Sequence, residues 1–355
     1  MEKANLRTIL KLSQNENPLG PSPCVLEAMR EASEYMQRYP EPHSHSLKKK
    51  LADSLNLDPA HVLVSAGLVE SLDIVIRNFV EDGENMVIGE VAFVAYRLLS
   101  EVYHVETRFS LLKDYRMDVD DMLRLCDDHT KLIIIANPNN PTGSTINEKE
   151  LIRLLEGVPS KTYVVLDEAY CEYVKQDDFP DTLKLLKRYP NLIVMRTFSK
   201  IYGLAGLRVG YSIASKEIIE LMQHYQAPFT VNHFASAAAM TALDDQSYIE
   251  KCSKLNNESR LQLANELTNI GIHVTPSQSN FLFLTFPSRE ERDRVFSFLG
   301  ESRILARKTD LFGADHSFRI TIGEVYDNTR IISTLKAAMN HFPFESSDQR
   351  AAVAD

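Results

Sequence analysis

Cysteine is scarce and scattered in this chain. The four, Cys24, Cys126, Cys171 and Cys252, form no C-x-x-C pair and show no zinc spacing. A chain of 355 residues with so few cysteines does not rest on a disulfide framework, and a reducing cytoplasm is the expected location. Long apolar runs are missing as well. None approaches the ~20 residues of a membrane helix, and residues 1–12 lack the apolar stretch of a signal peptide. Positive charge is not in excess: 49 acidic residues against 39 basic ones give a net charge of -10. That balance argues against nucleic acid or an anionic membrane as the main partner. It leaves room for a small anionic substrate, because a site can be locally basic in an acidic protein. Neither G-x-G-x-x-G nor G-x-x-x-x-G-K-[ST] occurs, so a nucleotide fold is disfavoured. Internal repeats and low-complexity linkers are also lacking.

What is present has the texture of an ordinary soluble protein, 44% hydrophobic and 25% charged, long enough for two unequal lobes around a cleft. Short apolar runs near 61–65, 86–89, 131–136, 163–167, 192–196 and 208–213 alternate with amphipathic stretches near 69–79, 147–155 and 217–224. Runs of near-continuous Val, Ile and Leu predict strands buried on both faces, as in a mostly parallel sheet flanked by helices. This is an α/β pattern over residues 45–245. From about 246 the pattern changes to a long helix (247–267), a strand (281–285), a helix (289–299), a strand (318–322) and a last helix (325–340). The expectation is a smaller α+β domain over 246–341, joined by the N-terminal segment 1–44, with a frayed tail over 342–355.

The most informative stretch runs from Arg196 through Thr197, Ser199 and Lys200 to Gly206, Arg208 and Gly210. A strand ends, hydroxylic residues follow, then a lysine, then glycines and an arginine. A carbonyl cofactor needs an amine held at a strand end, and its phosphate needs hydroxyls, amides and a guanidinium nearby. For the lysine alone a surface Ser-Lys turn would be the plainer account. His43 and His45 invite a metal, but an i, i+2 pair without an acid cluster describes a polar loop, and no metal is expected.

In this setting the sequence resembles the fold-type-I pyridoxal-phosphate aminotransferases, and most of all the histidinol-phosphate aminotransferase family. The resemblance runs from about residue 10 to 340, in order: Asn15-Glu16-Asn17-Pro18, Arg38-Tyr39-Pro40-Glu41, Asn137 to Gly143 with Asn140 and Pro141, Asp167-Glu168-Ala169-Tyr170, the Lys200 segment, and Phe318-Arg319 to Gly323. It implies pyridoxal 5'-phosphate as cofactor and Lys200 as its covalent anchor. Asp167, at a strand's carboxyl end, is implied as partner of the pyridine nitrogen; composition alone would allow Glu168 equally. Asn140 and Tyr170 are implied at the ring oxygen, in a loop with one or both prolines cis. Phe93 stacks on the ring. Thr197, Ser199, Arg208 and the turn Gly67-Leu68-Val69, which opens a helix, make the phosphate pocket. Tyr39 is implied to reach the cofactor phosphate of the other subunit, and with it a homodimer. Arg319 and Arg307 are implied as the clamp for the substrate's anionic group, and Asn17 as a further substrate-binding residue.

Departures from the family pattern fall at Phe93, which has no hydroxyl, and at Leu68 and Val69, where a small polar residue and an acid are usual. The implied reaction is transamination of histidinol phosphate with 2-oxoglutarate, giving imidazole acetol phosphate and glutamate in histidine biosynthesis. A threonine-phosphate decarboxylase-like lyase or an aromatic or other amino acid aminotransferase on the same scaffold are the alternatives. A retired domain turned binding protein would tend to have lost Lys200 or Asp167, and both are present.

Overall fold

The computed structural model describes residues 9–342; residues 1–8 and the expected tail from 343 onward lie outside the described residues. Its main sheet has seven strands in the order Val62–Ser65, Gly210–Ile213, Leu192–Thr197, Tyr163–Asp167, Thr130–Ala136, Asn85–Gly89, Glu106–Ser110. Gly210–Ile213 runs antiparallel to both neighbours, and the remaining pairings are parallel. Val62, Ile133, Val164 and Ile193 are completely buried, as expected of strands covered on both faces by helices. The helix Leu68–Phe79 turns Leu72, Val75, Ile76 and Phe79 into that core.

A second, smaller sheet is antiparallel, in the order His273–Val274, Phe281–Thr285, Ser317–Thr321, Arg307–Lys308. Helices Arg289–Glu301 and Val325–His341 cover it through Val295, Leu299, Ile331 and Leu335. The architecture is therefore α/β with a smaller α+β unit, as the alternation of runs predicts.

Three differences from the sequence reading have physical causes. The edge strand Glu106–Ser110 (ETRFS) goes unpredicted because it is polar and half-exposed and so shows no apolar run. Arg208 does not begin a strand: its φ of 57° is left-handed, and pairing starts only at Gly210. The segment 1–44 does not pack with the smaller unit alone. Leu10–Lys11 pairs in parallel with Ile304–Leu305 and Leu12 joins the smaller core, but the helix Pro23–Ala32 buries Val25 in the larger one. As the lack of linkers in the sequence leads one to expect, a helix begins at the boundary near 246 and joins the two units. The 24-residue helix Gln246–Asn269 starts with Ile249 and Cys252 in the larger core and ends with Leu263 and Leu267 in the smaller one. At about 1.5 Å per residue it is a rigid strut ~36 Å long.

The consequence for function lies at the carboxyl edge of the parallel strands. Strand ends at Ser65, Ala136, Asp167 and Thr197 come side by side there, with Ala136 and Met195 flanking Asp167 in register. The Phe281–Thr285 and Ser317–Thr321 strands and the segment 12–17 face them across a cleft. No helix among the described residues is long and apolar enough to cross a membrane.

Candidate active site

The cleft holds a cavity of about 390 Å³. Its lining includes Leu68, Val69, Phe93, Asn140, Asp167, Tyr170, Thr197, Ser199, Lys200 and Arg208, most of the residues singled out in the sequence. A larger hollow of about 690 Å³ lies elsewhere, beside Arg116 and Pro276. Its arginines are already paired, Arg116 with Glu150 and Arg153 with Asp120, and it contains none of those residues.

Lys200 follows the strand Leu192–Thr197. Its Nζ donates to the Gln14 carbonyl at 3.1 Å and lies 5.5 Å above the Tyr170 ring. Burial, and next the nearby Arg319 charge, bring this amine down from 10.5 to about 7. An amine so placed is substantially neutral near pH 7, which is what a nucleophile requires.

Asp167 ends the neighbouring strand, completely surrounded by protein. Tyr96 Oη donates to its Oδ2 at 2.6 Å, and the Ala169 amide donates to Oδ1 at 3.0 Å. Burial raises the carboxyl to about 6 in spite of these donors. Glu168 faces the other side of the strand end, as neighbouring residues must. There it pairs with Arg196 at 2.8 Å and accepts from Thr182. Geometry thus separates two carboxylates that composition leaves equivalent: Asp167 lines the cleft and Glu168 is tied behind it.

At one end of the cleft, Arg208 Nη1 donates to Ser199 Oγ at 3.3 Å and to the Ala205 carbonyl at 3.1 Å. Thr197 Oγ1 and Ser199 Oγ are 3.0 Å apart. Leu68 and Val69 begin a helix, whose first amides have no partners within it. Gly67 precedes them with φ of 82°, and a Cβ there would collide with the Arg208 guanidinium. Hydroxyls, amides and a guanidinium therefore converge on one cradle, and among the described residues no carboxylate forms an ion pair with Arg208.

Arg319 stands at the other side, 4% exposed. It donates to Asn140 Oδ1 and to the Ser13 carbonyl, and its Nε has no partner. No carboxylate pairs with it among the described residues. Burial lowers it to about 10, so it remains a cation at neutral pH. Arg307 lies directly across from Arg319 on the adjacent strand, and both guanidiniums approach the Phe312 ring, at 5.9 and 5.5 Å. Asn140 sits in a buried loop whose Asn137–Pro138 peptide is cis. Asn139 braces that loop, its Nδ2 donating to the Val91 carbonyl and to Thr142 Oγ1.

Gly67, Arg307 and Arg319 are not in the cavity lining itself, though Arg319 reaches it through Asn140, and Asn17 and Tyr39 lie away from it. Asn17 donates to the Ile201 carbonyl at 2.7 Å and to Cys252 Sγ at 3.4 Å, lining a separate cavity of about 100 Å³. Tyr39 is 83% exposed, its ring tilted against Phe229 at 5.3 Å. Two residues that the sequence reading did not assign do matter to the geometry: Tyr96 on Asp167, and Asn15, whose Nδ2 donates to Tyr170 Oη at 2.9 Å. Asn15 lies inside a quoted motif and Tyr96 three residues after Phe93, but their partners are 155 and 71 residues away and leave no local signal.

The Asp167 carboxyl gives a stability test. Its pKa in the fold, about 6, lies above the ordinary 3.8, so between those values the folded protein keeps a proton that the unfolded chain has lost. Stability then falls as pH rises through that window. In urea unfolding of the cofactor-free protein, wild type should lose about 2–3 kcal/mol relative to Asp167→Asn between pH 4 and pH 6.5. A pH-independent difference would mean that Asp167 is not desolvated.

Comparison with known proteins identifies the fold and family. The family model for class I and II aminotransferases matches residues 7–335. A histidinol-phosphate aminotransferase of Anaeromyxobacter sp. is 40% identical over 92% of this chain and 90% of its own length. One of Geobacillus thermodenitrificans is 39% identical over 94% and 91%. The crystal structure of histidinol-phosphate aminotransferase from Sinorhizobium meliloti in complex with pyridoxal-5'-phosphate superposes with a TM-score of 0.89 and 26% identity, over 96% of this chain and 93% of that one. The chain belongs to the class I and II aminotransferases and, among them, to the histidinol-phosphate aminotransferase family.

Proposed function

We propose that this protein catalyses pyridoxal-phosphate-dependent transamination of histidinol phosphate with 2-oxoglutarate, yielding imidazole acetol phosphate and glutamate, as a cytoplasmic enzyme of histidine biosynthesis. The observation that carries the proposal is a pair of cations with no ion-pair partner among the described residues, Arg208 and Arg319, on either side of a lysine whose pKa burial brings to about 7.

The residues fit the cofactor by their donor chemistry. Thr197, Ser199, Arg208 and the amides at Leu68 and Val69 would hold the phosphate, close against Gly67. Phe93, edge-on to Tyr96 at 5.6 Å, would give the ring an apolar face. Asp167 would pair with the ring nitrogen, and Asn140 and Tyr170 would meet the ring oxygen. When bound, pyridoxal phosphate supplies a carbonyl that takes up the substrate's nitrogen and a ring that accepts the electron pair released at the α-carbon.

The chain's own groups do the rest. Asp167, once ionised, would pair with the protonated ring nitrogen, and the hydrogen bond from Tyr96 stabilises the carboxylate in place. Lys200 Nζ would anchor the cofactor and, as a free amine, would be the base that takes and returns the substrate's α-proton. Gln14 holds this amine over Tyr170 meanwhile. Arg319 with Arg307 binds the substrate phosphate, since two guanidiniums match a phosphate better than one does. For glutamate, Arg319 serves the carboxylate. Tyr39, exposed beside Phe229, Tyr35 and Met36, would complete the phosphate site of a partner subunit in a homodimer.

Three measurements test this reading. Histidinol phosphate added to the yellow protein without keto acid should bleach the visible band, and Lys200→Ala should lose turnover by at least about 10³-fold. If glutamate bleaches the band and histidinol phosphate does not, the enzyme is a transaminase of another substrate. Carbon dioxide release without consumption of 2-oxoglutarate would indicate the lyase instead.

Arg307→Ala should raise KM for histidinol phosphate by about 10-fold or more while changing KM for glutamate less than about threefold. Equal effects on both substrates would remove Arg307 from the phosphate site.

Tyr39→Phe should weaken pyridoxal phosphate binding by about 5–10-fold, the worth of one hydrogen bond. Light scattering should still give the dimer mass. A monomeric wild type would contradict the shared site.

A further inference from the structure

Asn15 is held at four points. It is 1% exposed, with a left-handed φ of 56°, a conformation that asparagine, aspartate and glycine adopt more readily than other residues. Its backbone N–H donates to Thr321 Oγ1 at 3.0 Å, and its carbonyl accepts from Asn280 Nδ2 at 3.0 Å. Its Oδ1 is 3.2 Å from the Thr321 hydroxyl, and its Nδ2 is 2.9 Å from Tyr170 Oη.

This network decides which way the amide faces. Thr321 Oγ1 already accepts the Asn15 N–H, so the hydroxyl's own proton is free to donate, and Asn15 Oδ1 is its acceptor. With Oδ1 engaged there, the amide nitrogen must face Tyr170. Reversing the amide would leave the Thr321 proton with no acceptor in a site that is 3% exposed. Tyr170 Oη therefore receives a hydrogen bond from Asn15, and its own proton points elsewhere.

The surroundings of the phenol narrow that direction to the cleft. Phe281 packs edge-on at 5.2 Å and offers no acceptor. Lys200 Nζ lies over the ring face, 5.5 Å from its centroid, and not in the ring plane where the phenol O–H points, while Arg319, nearby, is a cation and accepts nothing. Asp167 is near, but its carboxylate is turned to Tyr96 and the Ala169 amide, and no hydrogen bond joins it to Tyr170 among the described residues.

Resting on the reading above that the cleft binds pyridoxal phosphate, we infer that Asn15 is a positioning residue that sets the polarity of Tyr170, so that the phenol donates to the ring oxygen of the bound cofactor. Thr321 stands two residues after Arg319 on one strand, so both present side chains on the same face. The strand that clamps the substrate's anion also fixes the donor on the cofactor ring.

The test uses the holoenzyme without substrate. Asn15→Gly keeps the left-handed backbone and both backbone hydrogen bonds but removes the donor to Tyr170. A phenol donor stabilises negative charge on the ring oxygen, so without it the bound cofactor keeps its proton to higher pH. Asn15→Gly should raise the pH midpoint of the visible band by about half a unit or more and weaken pyridoxal phosphate binding, read by fluorescence titration, by about 5-fold. In a Tyr170→Phe background the same substitution should change neither by more than about twofold in affinity or its equivalent in pH.

Asn15→Asp, which keeps shape and backbone but exchanges donor for acceptor, should shift the midpoint further than glycine does. Equal shifts in both backgrounds would reduce Asn15 to a pin for the segment around it and overturn the inference, as would no shift in either. If wild type shows no visible band with pyridoxal phosphate, the cofactor reading itself fails. If wild type is normal and Asn15→Gly is unshifted, only the role of Asn15 fails.

Discussion

A guanidinium cannot escape burial by giving up its proton, and this constraint organises the cleft. Arg319 is 4% exposed and stays charged, yet the groups on it are neutral: Asn140 Oδ1 and the Ser13 carbonyl. Neutral acceptors satisfy its N–H groups in part but leave its charge uncompensated, and its Nε without any partner. An anion entering the cleft supplies the missing charge, so binding energy is already poised in the free protein. The same cation acts on Lys200. After burial, it is the Arg319 charge that most lowers the amine toward neutrality, so on the proposed reading the group that would receive the substrate also readies the nucleophile.

Asp167 carries the opposite charge, and the sheet keeps it where it neither quenches nor is quenched by these cations. Lys200 follows the strand beside Asp167, close enough for their charges to act on one another, yet the lysine donates to the Gln14 carbonyl and the aspartate is held by Tyr96 and Ala169. A carboxylate engaged by neutral donors keeps its charge for a cationic partner between them. Adjacent parallel strands are well suited to this, because each strand end contributes one group and the register fixes the spacing. The antiparallel strand Gly210–Ile213 then brings Arg208 back along Thr197, closing the anion cradle from the far side.

Legibility in the sequence followed the locality of the cause. The buried strands could be read because a sheet covered on both faces demands unbroken apolar runs, and Glu106–Ser110 could not because an edge strand makes no such demand. Lys200, Ser199, Thr197 and Arg208 lie within twelve residues, so their spacing alone signals an anion next to an amine. Glu168 and Asp167 are indistinguishable by position; the family likeness chose Asp167, and the alternation of a strand end shows why. Asn17 was drawn to the substrate by its motif, whereas its amide is bound to Ile201 and Cys252. Its neighbour Asn15 is the one that enters the site. Nothing in N-E-N-P distinguishes the two asparagines, because the distinction comes from a left-handed turn and from Thr321, 306 residues away.

The unusual residues Leu68, Val69 and Phe93 bear on substrate and cofactor differently once their positions are known. At Leu68 and Val69 the anion would meet backbone amides at a helix start, which any side chain leaves available, while Gly67 keeps the approach to Arg208 open. Apolar side chains there also remove polar competitors from beside the phosphate. Phe93 lines the cleft one turn before Tyr96, and it is Tyr96 that supplies the hydroxyl, to Asp167 and not to the cavity. The apolar face and the polar handle that a single tyrosine could combine are here divided between two aromatic residues three positions apart. The family's cofactor chemistry is therefore retained, and the changes concentrate hydrogen bonding on the carboxylate, the amides and the arginines.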